Sequence, residues 1–586
     1  MTSVERVETT SMAKFDLVVR GGTVADGMGG EVYVADVGVA DGKIVEVGPS
    51  LGAGTVEIDA QGLLVTPGFV DIHTHYDGQV VWDNRMAPSS YNGVTTVVMG
   101  NCGVGFAPVR PQDRERLVEL MEGIEDIPGV VLREGLDWRW ESFEDYMGFI
   151  GARHYDMDVA AQLPHAPLRV FVMGERACRL EPATEADIAE MRRLTILAMK
   201  AGAVGFSTSR SLNHKSVHGD PTPSLRASEA ELTAIAGGIA EAGGGVLELS
   251  SEFLEDVRED EFAMVRRVAA ASGLPLSFGL TQKNSDPEGW SRLLDLIADA
   301  QAAGVDIRGQ FTPRPIGAMI TVEGTSNPFN FSPTYKQLVA SPGLMAAKLA
   351  RLREPAVREA VMAEVRPHES GPVIGRFGGF ERLFVQSGDT NYEPGIEDSL
   401  GRRAAREGRA PLDLLYDLMH EGDRGRYVYY AVNNFADFNF DAVRAMIAHP
   451  GTVPGLGDGG AHVSVISDAS FPTYLLMRWA KPRNPDGFEL GWLVKRQTSD
   501  TARLMGMTDR GVIAPGFKAD LNVIDMDRLG LEAPVMSHDL PAGGKRLLQR
   551  TRGYVATIVS GEVVYRNGEP TGALPGRLVK GRAAAA

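Results

Sequence analysis

Short β-branched runs broken by turn residues open the chain. Phe15–Arg20 (FDLVVR) runs into Gly21-Gly22, and Val37–Ala40 meets Lys43–Val47 across Asp41-Gly42. An Asp-Gly pair between two such runs is a strong hairpin signal. The same texture returns late in the chain, at Gly511–Ile513 and Ala519–Ile524, then at Ala556–Val564. Neither end has strands enough for a sheet domain of its own. The pattern predicts one small β-sandwich built from both ends, residues 14–66 and 505–570, with the middle as a single insert.

That middle, residues 67–504, alternates strand and helix. A helix opening at Thr184 carries Ile188, Met191, Leu194, Ile196 and Leu197, then yields to Ala203–Ser207. Ser228 and Glu231 have the spacing of a capping box, and their helix breaks at Gly243–Gly245 before Val246–Leu249. A helix over Phe262–Ala271 precedes strand Leu274–Leu280, and one over Glu288–Ala303 precedes Val305–Phe311. Repeated βα units argue for a parallel sheet covered by helices. Periodicity leaves open and closed sheets level; the flanking sandwich halves favour an α/β fold of the closed (β/α)8, TIM-like kind. Regularity lapses over residues 313–425, read as a helical insertion near the barrel mouth, which makes Thr452–Gly457 strand eight.

Composition narrows the class. The 586 residues are 44% hydrophobic and 23% charged, which excludes disordered, fibrous and low-complexity chains. Seventy-seven acidic against 59 basic residues give a net charge of −18, a field that repels nucleic acid and anionic lipid. No apolar run approaches the roughly 20 residues of a membrane helix, and MTSVERVETTSMAKFD has no signal-peptide core. With only Cys102 and Cys178, reduced thiols in a cytoplasmic protein are expected. The expected partner is a small-molecule substrate; subunit number stays open, a homo-oligomer included.

Chemistry gathers at strand ends. In Thr66–Asp77 (TPGFVDIHTHYD) an apolar strand through Phe69, Val70 and Ile72 ends in His73 and His75. Side chains two apart on a strand share a face, so both imidazoles can chelate a divalent cation such as zinc. A lone His-x-His is more often a polar loop; its place at the first barrel strand, with Asp77 just after, reverses that preference. Cys102 ends the second strand in Val97–Gly105 (VVMGNCGVG). It is open to two readings, a thiolate on the same cation or a small buried hydrophobe; Gly100, Gly103 and Gly105 favour a tight turn at a site. In Leu456–His462 (LGDGGAH) Asp458 lies among glycines at a strand end. Such a carboxylate either touches a cation and carries a proton from water to the leaving amine, or makes a structural Asx-turn. His462 either orients a substrate or caps the next segment.

Together these segments resemble the amidohydrolase superfamily and, within it, the N-acyl-D-amino-acid deacylase (D-aminoacylase) group. The resemblance runs through Phe15–Gly22, Pro67–His75, Gly93–Thr96, Gly100–Gly103, Gly202–Thr208, Asp458-Gly459 and Gly511–Asp525, nearly the whole chain. It implies His73, His75 and Cys102 as metal ligands and Asp458 as both ligand and general acid/base. It also implies zinc, as one ion or two, with one favoured here.

The match departs where the group carries a ligand histidine at the end of strand five and another at the end of strand six. Gly245–Glu252 (GVLELSSE) and Leu274–Gln282 (LPLSFGLTQ) have none. Three substitutes are open: a single ion on His73, His75 and Asp458; oxygens from Glu248, Glu252 or Gln282, suited to a harder ion; or His214 and His218 from the loop after strand four. That loop also carries Arg210 and Lys215, a cationic pair that either holds a substrate carboxylate or is merely solvated. The expected function is metal-dependent hydrolysis of a small-molecule C–N amide bond, in an N-acyl-D-amino acid. Two rivals stand beside it. Cyclic-amide hydrolysis of the dihydropyrimidinase kind wants a lysine ending strand four, which this chain lacks. A metal-poor pseudoenzyme serving in binding or assembly would explain the two missing histidines.

Overall fold

The computed structural model describes residues 14–368, 379–386, 388–465, 468–481 and 483–582. Eight parallel strands form its centre: β1 (Phe69–Asp71), β2 (Val94–Met99), β3 (Asp158–Pro164), β4 (Gly205–Ser209), β5 (Val246–Ser250), β6 (Leu276–Gly279), β7 (Ile307–Phe311) and β8 (Thr452–Pro454). They lie side by side in sequence order. Just beyond the strand ends β8 returns to β1. Thr74 bridges Gly459 in parallel, His75 N–H donates to the Gly459 carbonyl at 2.7 Å, and Asp458 N–H donates to the His73 carbonyl at 3.0 Å. The expected (β/α)8 barrel is therefore closed by the residues that carry the candidate chemistry. Strands covered on both faces need no polar alternation, and β2 is buried at every position.

The helices follow their caps. Thr184 and Asp187 form a reciprocal capping box on helix Glu185–Ala201. Ser228 accepts the Glu231 N–H at 3.2 Å, but the Glu231 carboxylate does not reach back as the spacing suggests. It turns inward to His165 Nε2 at 2.9 Å and Arg169 Nε at 2.8 Å, because buried donors need an acceptor more than a wet amide does.

Both chain ends enter one nine-stranded sheet. Leu64–Pro67 pairs antiparallel with Leu521–Ile524, Val65 opposite Val523, and the sheet encloses a core of residues such as Leu17, Val37, Val39, Leu521 and Ile558. The Asp41-Gly42 hairpin forms as expected, with φ of 50° and 70°. Gly511–Ile513 is not a strand; Gly511 has φ 82° and Ile513 N–H donates to the Asp26 carbonyl at 2.9 Å. Asp158, at the start of β3, is buried between Arg510 at 2.6 Å and Lys518 at 2.7 Å, an ionic joint from barrel to sandwich. One hairpin of the C-terminal segment, Val535–Leu540 with Gly544–Leu548, leaves the sandwich for the barrel mouth. There Leu547 N–H donates to the Val463 carbonyl at 2.5 Å, and Arg546 donates to the Ala87 carbonyl at 3.0 Å.

The expected insertion is not purely helical. Its helices, among them Pro333–Ala340, Pro355–Val365 and Pro411–Met419, pack with an antiparallel sheet of Ile316–Ile320, Leu383–Gln386 and the central Tyr427–Asn433. The unit thus runs past 425, since YVYYAVN is aromatic and β-branched and suits a buried strand. It has its own core, including Phe329, Leu352, Met362 and Tyr416. Residues 369–378 and 387 of that stretch lie outside the described residues. No helix among the described residues is long and apolar enough to cross a membrane.

Candidate metal centre

Thr74 is tied to β2 by its N–H at 3.1 Å and its hydroxyl at 2.8 Å from the Val98 carbonyl. With Thr74 so held, the rings of His73 and His75 come 5.5 Å apart, edge to face. Gln310 on β7 sets the first ring. Its Nε2 donates to Ser277 Oγ at 2.9 Å, which leaves Oε1 facing His73 Nδ1 at 2.8 Å. Nδ1 therefore carries the proton, and the Nε2 lone pair faces the centre.

Cys102 follows β2 in a turn where Gly100 (φ 81°), Cys102 (φ 55°) and Gly103 (φ 69°) are all left-handed. A Cβ on Gly100 would lie 2.5 Å from the Gln162 carbonyl oxygen, so only glycine fits there. Cys102 N–H is held by Glu248 Oε2 at 3.0 Å. Asp458 (φ 46°) and His462 (φ 49°) are strained in the same way on the opposite loop. Strain of this kind persists where the surroundings over-determine a functional geometry.

The donors converge. One ligand atom each from His73, His75 and Cys102 lies within 4.8 Å of the others. Cys102 Sγ is 3.5 Å from His73 Nε2; Asp458 Oδ1 is 3.4 Å from His73 Nε2 and 3.7 Å from His75 Nε2. A tetrahedral ion with bonds of about 2.1 Å to nitrogen or oxygen and about 2.3 Å to sulfur separates its donors by roughly 3.4–3.6 Å. The residues fit a divalent cation of the zinc type.

Charge points the same way. Burial, together with Glu248, Glu125 and Asp458, pushes the Cys102 thiol well up. Burial pushes Glu248 up to about 7 against the opposing pull of His73, and lowers His75 to about 4. Burial also acts to raise Asp458, but His75, His73 and His462 outweigh it and hold the carboxylate below its ordinary range. Burial thus holds Glu248 and the Cys102 thiol toward their neutral forms, and a cation bound between the imidazoles would stabilise their anions.

The remaining expected residues divide. His214 is drawn in: Ser209 Oγ meets its Nδ1 at 2.8 Å, burial lowers it to about 4, and it feels the charges of Glu252, His75, His462 and Asp458. His218 stays outside, largely exposed and paired with Glu119 at 3.2 Å. Arg210, expected at the substrate, is bound instead by Glu261 at 3.0 Å and the Ala227 carbonyl at 2.9 Å, because the acidic helix Arg258–Ser272 supplies a nearer carboxylate. Lys215 is exposed. Glu252 is occupied by the Leu212 N–H and Asn213 Nδ2, both at 3.0 Å, and Gln282 by Asp437 at 2.7 Å. Of the three proposed substitute oxygens, Glu248 is the one at the centre, its Oε1 buried without a hydrogen bond.

Two residues escaped the sequence reading. Gln310 left a faint trace, a lone amide in an apolar strand end. Glu125 left none, being one of several acids in helix Arg114–Glu125. It is fully buried, with Oε1 3.4 Å from His75 Nδ1 and Oε2 3.7 Å from His462 Nε2, and its carbonyl accepts the His462 N–H at 2.5 Å. His75 Nδ1 and Glu125 Oε1 have no hydrogen-bond partner in good geometry. His462 is thus tied to Glu125 through both its backbone and its ring, at the centre's edge.

Residues 56–565 match the amidohydrolase family, and the chain belongs to it. Several of the proteins it is similar to are deacylases. It is 36% identical over 195 residues to a D-aminoacylase of Alcaligenes xylosoxydans xylosoxydans, covering 33% of this chain and 37% of that one. To an N-acyl-D-glutamate deacylase of the same organism it is 30% identical over 317 residues, 53% of this chain and 59% of that one. The alignments thus span 37% and 59% of these two relatives, less than two thirds of either. Among solved structures, a D-aminoacylase described with a binuclear metal centre superposes with a TM-score of 0.64 at 23% identity, covering 97% of this chain and 100% of that one. An N-acyl-D-glutamate deacylase from Bordetella bronchiseptica, complexed with zinc and a phosphonate inhibitor, gives 0.63 at 22% identity over the same shares.

Proposed function

We propose that this chain is a metal-dependent amidohydrolase that cleaves the C–N amide bond of an N-acyl-D-amino acid, using one zinc ion held by His73, His75, Cys102 and Asp458. The observation that carries the reading is the convergence of His73, His75 and Cys102 within 4.8 Å of one another, with an Asp458 oxygen 3.4 and 3.7 Å from the two imidazole nitrogens. A zinc ion bound there would supply Lewis-acid polarisation of a carbonyl and, on taking a fifth ligand, would lower the pKa of a coordinated water. The chain's own residues do the rest. Gln310 holds the His73 ring in the tautomer that points Nε2 inward. Asp458 stands at the rim, 19% exposed where the imidazoles are 2% or less, and is the group that takes a proton from attacking water and returns it to the departing nitrogen. His214 and His462, polar groups at the same rim, hold the substrate. Deacylase relatives support the substrate class.

A panel of N-acetyl-D- and L-amino acids, assayed beside metal analysis, tests this. Near-stoichiometric zinc with D-selective turnover is expected, and Asp458→Asn should lower kcat by about 10²–10⁴. Full turnover by Asp458→Asn or His73→Ala would refute the mechanism, and a metal-free protein indifferent to chelators would favour a binding protein instead.

A further inference from the structure

A cavity of about 580 Å³ lies between the insertion and the C-terminal hairpin. Val322, Met345 and Tyr427 stand on one side and Val535, Met536 and Leu547 on the other, with Glu323, Gln386, Arg424 and Arg426 also in the lining. Its volume suits a small-molecule site. Val535 is 60% exposed on this concave face, while Val322, Tyr427 and Leu547 are buried beneath it. Beside the Asp458 loop lies a second, narrow cleft of about 20 Å³, bounded by Asp458, Gly460, Val463, Arg546 and Leu547, with room for about one water. Leu547 borders both spaces, and its N–H bond to the Val463 carbonyl fixes it beside the Asp458 loop. Leu547 is therefore the side chain common to the cleft at the proposed acid/base carboxylate and the larger, mostly apolar chamber.

We infer that this chamber receives the aliphatic acyl chain of the substrate, with Leu547 as the partition the chain displaces, so that the preferred substrates carry acyl groups well longer than acetyl. The inference rests on the deacylase reading for its reaction. A ligand with a polar amide head and a flexible hydrocarbon tail is the class that uses both spaces, the head at Asp458 and the tail beyond Leu547.

Two measurements test it. In the first, turnover of N-acetyl, N-hexanoyl and N-decanoyl derivatives of one amino acid is compared. The value of kcat/KM should rise by up to about fourfold per methylene buried. Leu547→Trp should cut the decanoyl-to-acetyl ratio by about tenfold or more, and Leu547→Ala should raise it. Opposite shifts at one position do not arise from loss of fold. In the second, decanoate binding is followed by calorimetry, which needs no turnover; Leu547→Trp and Met345→Asp should each weaken it about tenfold. A flat chain-length profile among substrates that are cleaved, or decanoate binding absent or indifferent to both substitutions, overturns the proposal. Decanoate binding that depends on both residues, in a protein that cleaves no acyl amino acid, upholds the chamber and sinks the deacylase reading.

Discussion

Glu125 has the clearest consequence for a single side chain. An imidazole that gives Nε2 to a metal must carry its proton on Nδ1, and in His75 that nitrogen faces Glu125 Oε1 at 3.4 Å. Acceptors of this kind orient the ring and raise its basicity. Glu125→Ala is therefore expected to weaken metal binding about 10–100-fold, read by competition with a chromogenic chelator, and Glu125→Gln to recover part of the loss. Metal affinity unchanged in Glu125→Ala would show the ring needs no such partner. At this scale the sequence spoke clearly where chemistry sits in a compact motif, as in the paired histidines and the Gly-flanked Asp458. It was mute where a residue matters only through what faces it. Arg210 is the reverse case, a cation in a plausible position whose charge is spent on Glu261.

Among the elements, the turn after β2 decides whether Cys102 reaches the centre. Gly100 combines φ 81° with a Cβ position 2.5 Å from the Gln162 carbonyl oxygen. Gly100→Ala should cost about 1–3 kcal/mol and also lower metal occupancy, because the turn cannot shift without moving Cys102. Thermal melts with and without metal separate the two effects; a variant with native melting and full metal would show the turn is not constrained. Alternating strand and helix patterns were readable for most barrel units because each strand is short, apolar and capped by helix signals. The insertion is legible but its strands are not, since they pair with partners far along the chain, Ile316–Ile320 with Tyr427–Asn433, and local pattern carries no such information.

For the molecule as a whole, the joint between sandwich and barrel is ionic and buried. Burial alone would raise Asp158, but Lys518 and Arg510 outweigh it and hold its carboxyl below the ordinary range. A carboxylate depressed in the folded state stabilises above its unfolded value of about 3.9, and that contribution fades as pH falls through the folded value. The native protein should therefore lose stability steeply below about pH 4, while Asp158→Asn should be about 3 kcal/mol less stable at neutral pH and flatter in acid. Parallel acid profiles for the two proteins would count against the joint. Removing metal with a chelator should also lower the Tm, by an amount that grows with the free metal of the reference sample, and scanning calorimetry reads it. By itself the sequence determined the repeated βα units, the shared sandwich and the principal metal-ligand candidates, because periodicity, turn chemistry and close-spaced motifs are local properties. Only the tertiary structure decided which acids surround the metal centre, which loop residues reach it and what lies beyond Leu547. Those depend on contacts between segments hundreds of residues apart, and burial, not residue type, sets their chemistry.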